Sequence, residues 1–123
     1  YLQDRIYAEI WLAGEDLDTY RRVAAAVGPL VRPPDVLVLL DGPVALLMER
    51  IAARGRRYEK SFTEGFVRRL RDTYRRRLAE ETTAVVRVDI ARRDLREAGE
   101  RRWLVGRIGE ALGRTRNHDT ATL

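Results

Sequence analysis

Pro34-Asp35-Val36-Leu37-Val38-Leu39-Leu40-Asp41-Gly42-Pro43-Val44 is the stretch that decides the fold class. Val36 to Leu40 are continuously apolar, with no alternation of polar and apolar positions. Such a run, bounded by turn residues and too short for a buried helix, predicts a strand covered on both faces, as in a parallel sheet. Asp41-Gly42-Pro43 breaks it. Proline lacks an N–H and has a fixed φ, which suits the first turn of a helix. Val44, Leu47, Met48 and Ile51 then recur on one helical face,. Strand, short loop and helix make half of a βαβ unit.

Working outward, Ile6, Ile10 and Ala13 predict a helix over 1–13, ended by Gly14,. Asp16 is placed to cap a second helix over roughly 17–27, which Gly28-Pro29 ends,. Downstream, Arg54 to Lys60 has no apolar face and reads as a loop. Ser61 and Glu64 have capping-box spacing before a helix over roughly 62–80, where Phe66, Leu70, Tyr74 and Leu78 recur every fourth residue,. Ala84 to Val88 predicts a second strand, ending at Asp89. Asp94 and Glu97 repeat the capping spacing before a last helix over roughly 96–112, stopped by Gly113, and 114–123 reads as a disordered polar tail,. The sum is an α/β fold of about two strands and five helices. Two strands make a poor sheet alone, so further strands are expected N-terminal to Tyr1.

Composition narrows the chemistry. The 123 residues contain no cysteine and one histidine, His118, in the polar tail. Disulfides, thiolate sites, a histidine-based triad and a multi-histidine metal site are therefore excluded as mechanisms. No apolar run approaches a membrane span. Charge is uneven: residues 1–49 carry four Arg against eight acids, and residues 50–123 carry twenty bases against eleven acids. A GC-rich genome would account for arginine replacing lysine, but not for clustering. Between Arg50 and Arg77 lie eleven bases and three acids, which implies an anionic partner or a strongly solvated helix face.

A phosphate-cradling loop needs glycines ahead of Lys-Ser. The only Lys-Ser is Lys60-Ser61, where Arg54 and Glu59 occupy the required glycine positions. The chain therefore has no such loop. Arg50 and Arg54 lie one turn apart at a helix end, and Arg56 and Arg57 follow Gly55. Guanidinium groups converging from a helix end and a loop suit phosphate oxygens, bidentately and without a change of protonation. A solvated basic surface or a nucleic-acid face are the competing readings; acids mixed into the next helix and few aromatic platforms disfavour nucleic acid. Glu59, inside the basic loop, either balances charge or accepts from a sugar hydroxyl. Asp41 and Asp89 follow strand ends, where α/β sheets place ligands, but turn formation is the simpler role.

Five pieces carry a family resemblance. Leu2-Gln3-Asp4-Arg5-Ile6-Tyr7-Ala8-Glu9 resembles the helix after the Glu/Asp-Arg-Ser motif of deoxynucleoside kinases. Pro34 to Leu40 is similar to their fourth strand, and Met48-Glu49-Arg50-Ile51-Ala52-Ala53-Arg54-Gly55-Arg56-Arg57-Tyr58-Glu59 to their lid, of pattern R-I-x-x-R-G-R-x-x-E. Phe66 to Leu70 resembles the helix after the lid, and Val88-Asp89 with Asp94-Leu95 the adenine-side loop.

The resemblance implies the C-terminal portion, residues 1–113, of a P-loop kinase fold with a five-stranded parallel sheet and a lid over about 50–62. It implies transfer of the ATP γ-phosphate to the 5′-hydroxyl of a deoxynucleoside, with Mg²⁺ ligands outside this chain. Arg50, Arg54 and Arg56 would be the lid arginines, with Arg50 packing on adenine opposite Leu95 beside Asp94. Glu59 would hold the 3′-hydroxyl, and Asp4 would help orient the base. Also implied are a cytoplasmic salvage enzyme, a homodimer and a missing P-loop half. Lys60-Ser61 departs from the usual Gln-Gly. A thymidylate-kinase-like nucleotide kinase and a non-catalytic basic module that binds nucleic acid or a partner are the alternatives.

Without a backbone cradle for the β- and γ-phosphates, these 123 residues alone should not phosphorylate nucleosides. A radiolabelled-ATP assay of the purified chain tests this; turnover of any deoxynucleoside above a matched blank overturns it.

Overall fold

The computed structural model describes the backbone of residues 2–121 and side chains as far as Arg114. The elements are α1 (Leu2–Trp11), α2 (Gly14–Val27), a 3₁₀ turn (Gly28–Leu30), β1 (Val36–Asp41), α3 (Val44–Arg54), a second 3₁₀ turn (Arg57–Glu59), α4 (Glu64–Glu80), β2 (Ala84–Asp89) and α5 (Ala98–Ala121). The expected α/β class, with a two-stranded parallel sheet and five helices, is observed.

β1 and β2 pair in parallel, from Val36 opposite Ala84 to Asp41 opposite Asp89. Parallel strands need a long crossover, and α3 and α4, packed on each other, supply it. α5 closes over β2: Val86, Val88 and Ala111 are buried together, with Ile90, Leu95, Trp103 and Leu104 packed around them. On the far side of the crossover α1 lies against α4. Ile6 is fully buried, Ala8, Val67 and Leu78 nearly so. Arg77 of α4 binds Glu9 of α1 through a guanidinium–carboxylate contact, which fixes the two helices in register.

β1 departs from the expectation of burial on both faces. Leu39 is buried, but Val38 and Leu40 are 39% and 51% exposed. Successive strand residues face opposite ways, so these two share the face that carries Val86 and Val88. α5 sits mainly over β2; Val36 still packs against the buried cluster, but Val38 and Leu40 are left partly open, and among the described residues β1 has only β2 as a neighbouring strand.

Several boundaries also move. α1 ends at Trp11, and Gly14 instead opens α2, with φ of 56°. This left-handed conformation, accessible to glycine, swings the chain between the two helices. Asp16 lies in the first turn of α2 and does not cap it; its charge there still suits the helix dipole. Thr63, not Ser61, caps α4, its Oγ1 accepting from the Phe66 N–H at 3.1 Å. α5 starts at Ala98, because Asp94 closes a turn by accepting from the Arg96 N–H at 3.0 Å. Gly113 does not stop α5, which continues to Ala121. A glycine stop needs a left-handed φ, and among the described residues only Gly14 and Gly55 have one. The expected disordered tail thus meets helical backbone through Ala121; 122, 123 and the His118 side chain lie outside the described residues.

Ile6→Ala should cost about 2–5 kcal/mol, the usual range for truncating a buried isoleucine, because Ile6 is 0% exposed. Leu40→Ala, at a half-exposed site, should cost less than 1.5 kcal/mol by the smaller area lost from burial. Urea denaturation reads both; equal losses would contradict this account of the core.

Candidate functional site

The carboxyl ends of the two strands are tied off by their own aspartates. Asp41 accepts from the Gly42 N–H at 2.9 Å and from Arg75 Nε at 2.8 and 3.1 Å. Asp89 Oδ1 accepts from the Ala91 N–H at 3.0 Å. Both therefore shape turns. A Cβ on Gly42 would lie 2.8 Å from Ile90 Cγ1, so glycine there lets the segment after β2 approach β1.

Beside this closure opens a cleft of about 680 Å³ between the end of β1, α3, α4 and the 90–96 segment. Leu47, Ile51, Leu70, Tyr74, Ile90 and Leu95 supply apolar wall, and Arg50, Arg54, Arg71, Arg93 and Arg96 also line it. Apolar surface ringed by guanidinium groups suits a ligand with a flat apolar part and an anionic part. Arg93 is held on two sides. It stacks 3.5 Å from the Trp103 ring centroid and binds Glu100 at 2.9 Å, which ties the cleft wall to α5.

The segment after α3 follows from local backbone chemistry. Gly55 takes a left-handed φ of 63°, and its N–H bonds Ile51 O, ending the helix. The chain then doubles back through a 3₁₀ turn, with Glu59 N–H on Arg56 O at 3.1 Å and Phe62 N–H on Glu59 O at 3.0 Å. Doubling back brings Arg54 Nη2 to Glu59 Oε2 at 2.5 Å. Glu59 is only 6% exposed, and its Oε1 is buried with no hydrogen-bond partner. An orphaned charged oxygen is costly to bury, so this atom points to a ligand donor. Arg56 Nη1 instead donates to the Tyr58 hydroxyl at 3.2 Å, on the exposed side.

A chain of aromatic ring contacts binds this segment to α1 and α4. Tyr7 and Trp11 are 5.0 Å apart, Trp11 and Phe66 5.6 Å and nearly parallel, Phe66 and Phe62 4.7 Å, and Phe62 and Tyr58 6.5 Å. Such pairs add roughly 0.5–1.5 kcal/mol each beyond area burial. Burial pushes the Tyr7 hydroxyl up, and the nearby Glu59 carboxylate adds to it. Burial pushes Tyr74 up to about 12, helped by Tyr7 and Asp4 and opposed by a hydrogen bond from Gln3. The Arg96 side chain, its backbone N–H and more distantly Arg50 hold Asp94 well below the usual carboxylate range.

Of the residues singled out in the sequence, the structure brings Arg50, Arg54 and Leu95 into the cleft, with Asp94 3.9 Å from Arg50 and Glu59 on Arg54. Asp4 acts on Tyr74, a cleft residue. Arg56 does not line the cleft. Sequence reasoning missed Tyr74, whose every-fourth spacing reads as core packing, and Arg71 and Arg93, lost among many arginines. Tyr7 and Trp11 on α1, and Tyr58, Phe62 and Phe66 running from the 3₁₀ turn into α4, could have been found from their i, i+4 spacing.

No curated protein matches the chain. The model of the deoxynucleoside kinase family matches residues 3–109, and the chain belongs to that family.

Tyr74 gives a pH test. Its native pKa of about 12 lies above the usual 10, so in that window the unfolded chain releases a proton that the folded chain keeps. Its contribution is fully present below pH 10 and is lost as pH rises toward 12. Tyr74→Phe should flatten the fall in urea stability across that window; an unchanged slope would refute the assignment.

Proposed function

We propose that this chain forms the lid and sugar-binding side of an ATP-dependent deoxynucleoside kinase that phosphorylates the 5′-hydroxyl. Family membership supports the reaction class. The observation that carries the site reading is Glu59 Oε1, a buried carboxylate oxygen with no donor, next to an arginine-lined cleft. A neutral sugar hydroxyl donates to such an atom; an anion is repelled by it. That favours a nucleoside 3′-hydroxyl at Glu59.

In this reading ATP fits the cleft: Leu95 and the Arg50 stem clasp a purine, while Arg50 and Arg54 face phosphate oxygens. ATP supplies the γ-phosphoryl group, and the ligands of its Mg²⁺ are expected outside this chain. The arginines stabilise charge on the transferred group. Arg56 joins them if its weak, exposed bond to Tyr58 is exchanged for phosphate. Asp4 and Tyr74 orient the base side of the nucleoside. The phosphate loop and general base come from a P-loop-bearing segment, which the bare edge of β1 is suited to receive as a further parallel strand. A second copy of the whole enzyme completes the proposed dimer. Among the described residues no helix is long and apolar enough to cross a membrane, and the reading places the enzyme in the cytoplasm.

Two substitution series test this in the kinase completed by its P-loop segment. Glu59→Gln should weaken deoxynucleoside binding by roughly 1–3 kcal/mol, the cost of losing a charge-assisted partner. A 2′,3′-dideoxynucleoside should lose less affinity; equal losses remove the sugar assignment. Arg54→Ala and Arg56→Ala should each lower turnover tenfold or more, and Arg50→Ala should also raise KM for ATP. Arg69→Ala, on the exposed face of α4, is the control. A loss for Arg69→Ala as large as for Arg54→Ala would favour a diffuse basic surface.

The stability effects should differ within the set. The sequence pattern alone suggests that none of these arginines supports the core. The Arg54–Glu59 contact changes that for Arg54, whose removal strands a buried carboxylate. Arg54→Ala should cost about 1–3 kcal/mol, and Arg56→Ala no more than about 0.5 kcal/mol, as read by thermal melting.

A further inference from the structure

The two oxygens of Glu59 are in different situations. Oε2 accepts from Arg54 at 2.5 Å, while Oε1 is buried without a partner. The two residues also differ in freedom. Arg54 is 49% exposed at the end of α3, and Glu59 is 6% exposed in a turn closed by two backbone hydrogen bonds. A half-exposed arginine samples many rotamers unless a fixed partner selects one. Here the fixed partner is the carboxylate.

We propose that Glu59 is a positioning residue for Arg54: one carboxylate takes the sugar hydroxyl on Oε1 and sets the phosphate-facing guanidinium with Oε2. The inference rests on the deoxynucleoside reading of the site. A hydroxyl is a neutral donor, so its arrival satisfies Oε1 without removing the charge that holds Arg54. Sugar recognition and placement of the transition-state cation thus share one side chain. A substrate bearing phosphate in place of that hydroxyl would meet the carboxylate charge and compete for Arg54, so the same device rejects it.

The experiment uses E59L, which removes both acceptors at similar volume, and E59Q, which keeps one acceptor toward Arg54. In the kinase completed by its P-loop segment, kcat and KM are measured separately for a deoxynucleoside and its 3′-deoxy analogue. E59L should lower kcat at least tenfold for both substrates and raise KM only for the hydroxylated one. E59Q should restore most of kcat. With R54K in the background, E59L should lower kcat little further. An unchanged kcat in E59L, with KM raised only for the hydroxylated substrate, overturns the positioning role and leaves the sugar site standing. A kcat loss alike for both substrates, with no hydroxyl-dependent change in KM, supports positioning and removes the sugar site. Independently of catalysis, nitrogen NMR of the arginine side chains in the 123-residue chain should find rotation of the Arg54 guanidinium hindered in the wild type and free in E59L. Free rotation in the wild type overturns the proposal.

Discussion

The parallel pairing of β1 with β2 is the constraint on which the rest depends. Asp41 lies opposite Asp89, so both strands deliver the chain to one end of the sheet. From that end α3 leaves and the 90–96 segment returns, and the cleft is the space between them. Gly42 sets how closely the two can approach, because a side chain there would collide with Ile90. The strands themselves contribute little chemistry. Their aspartates are consumed in turns and in the bond to Arg75, and the groups suited to ligands come from the helix ends and loops that the pairing juxtaposes.

Electrostatics then distributes roles among many arginines. Most described bases near the cleft are partly neutralised: Arg50 by Asp94, Arg93 by Glu100, Arg96 by Asp94 and Arg75 by Asp41. Exposed pairs of this kind are worth little to stability, with a median near 0–1 kcal/mol. They matter here by holding guanidinium groups in place at a crowded positive surface. Glu59 is different in kind. It is the buried member of its pair, its charge is incompletely satisfied, and the chain of ring contacts from Tyr7 to Tyr58 helps to hold its segment against α1 and α4.

Much of this was legible in the chain. The apolar run of Val36 to Leu40, the Asp-Gly-Pro break and the stripe after it gave strand and helix nearly to the residue, because a short unalternating run bounded by breakers has few other solutions. The spacing of Arg50, Arg54 and Glu59 marked the cleft side of the site. What the sequence could not reveal depended on tertiary approach. Tyr74 looks like packing until Gln3, Asp4 and Tyr7 come near it. Arg54 looks like free surface until the chain doubles back on Glu59. Thr63 outcompetes Ser61 as a cap because Ser61 Oγ is turned to Tyr58 O at 3.4 Å. Gly113 fails as a stop because glycine permits a left-handed turn without compelling one.

The bare edge of β1 has a consequence for handling the protein. Edge strands in soluble proteins are commonly guarded by a lysine, a proline, a bulge or an inward charge, which discourage a second chain from pairing there. Val36 to Leu40 contains none of these gatekeepers, and it is a short, uncharged, β-branched and leucine-rich window of the kind that seeds cross-β association,. The strand is written for the interior of a sheet. Produced on its own, the chain is expected to be limited by colloidal behaviour well before it is limited by unfolding, and its net charge of +5 is the main force keeping copies apart,. Raising ionic strength, which screens that charge, removes the protection while leaving the edge untouched.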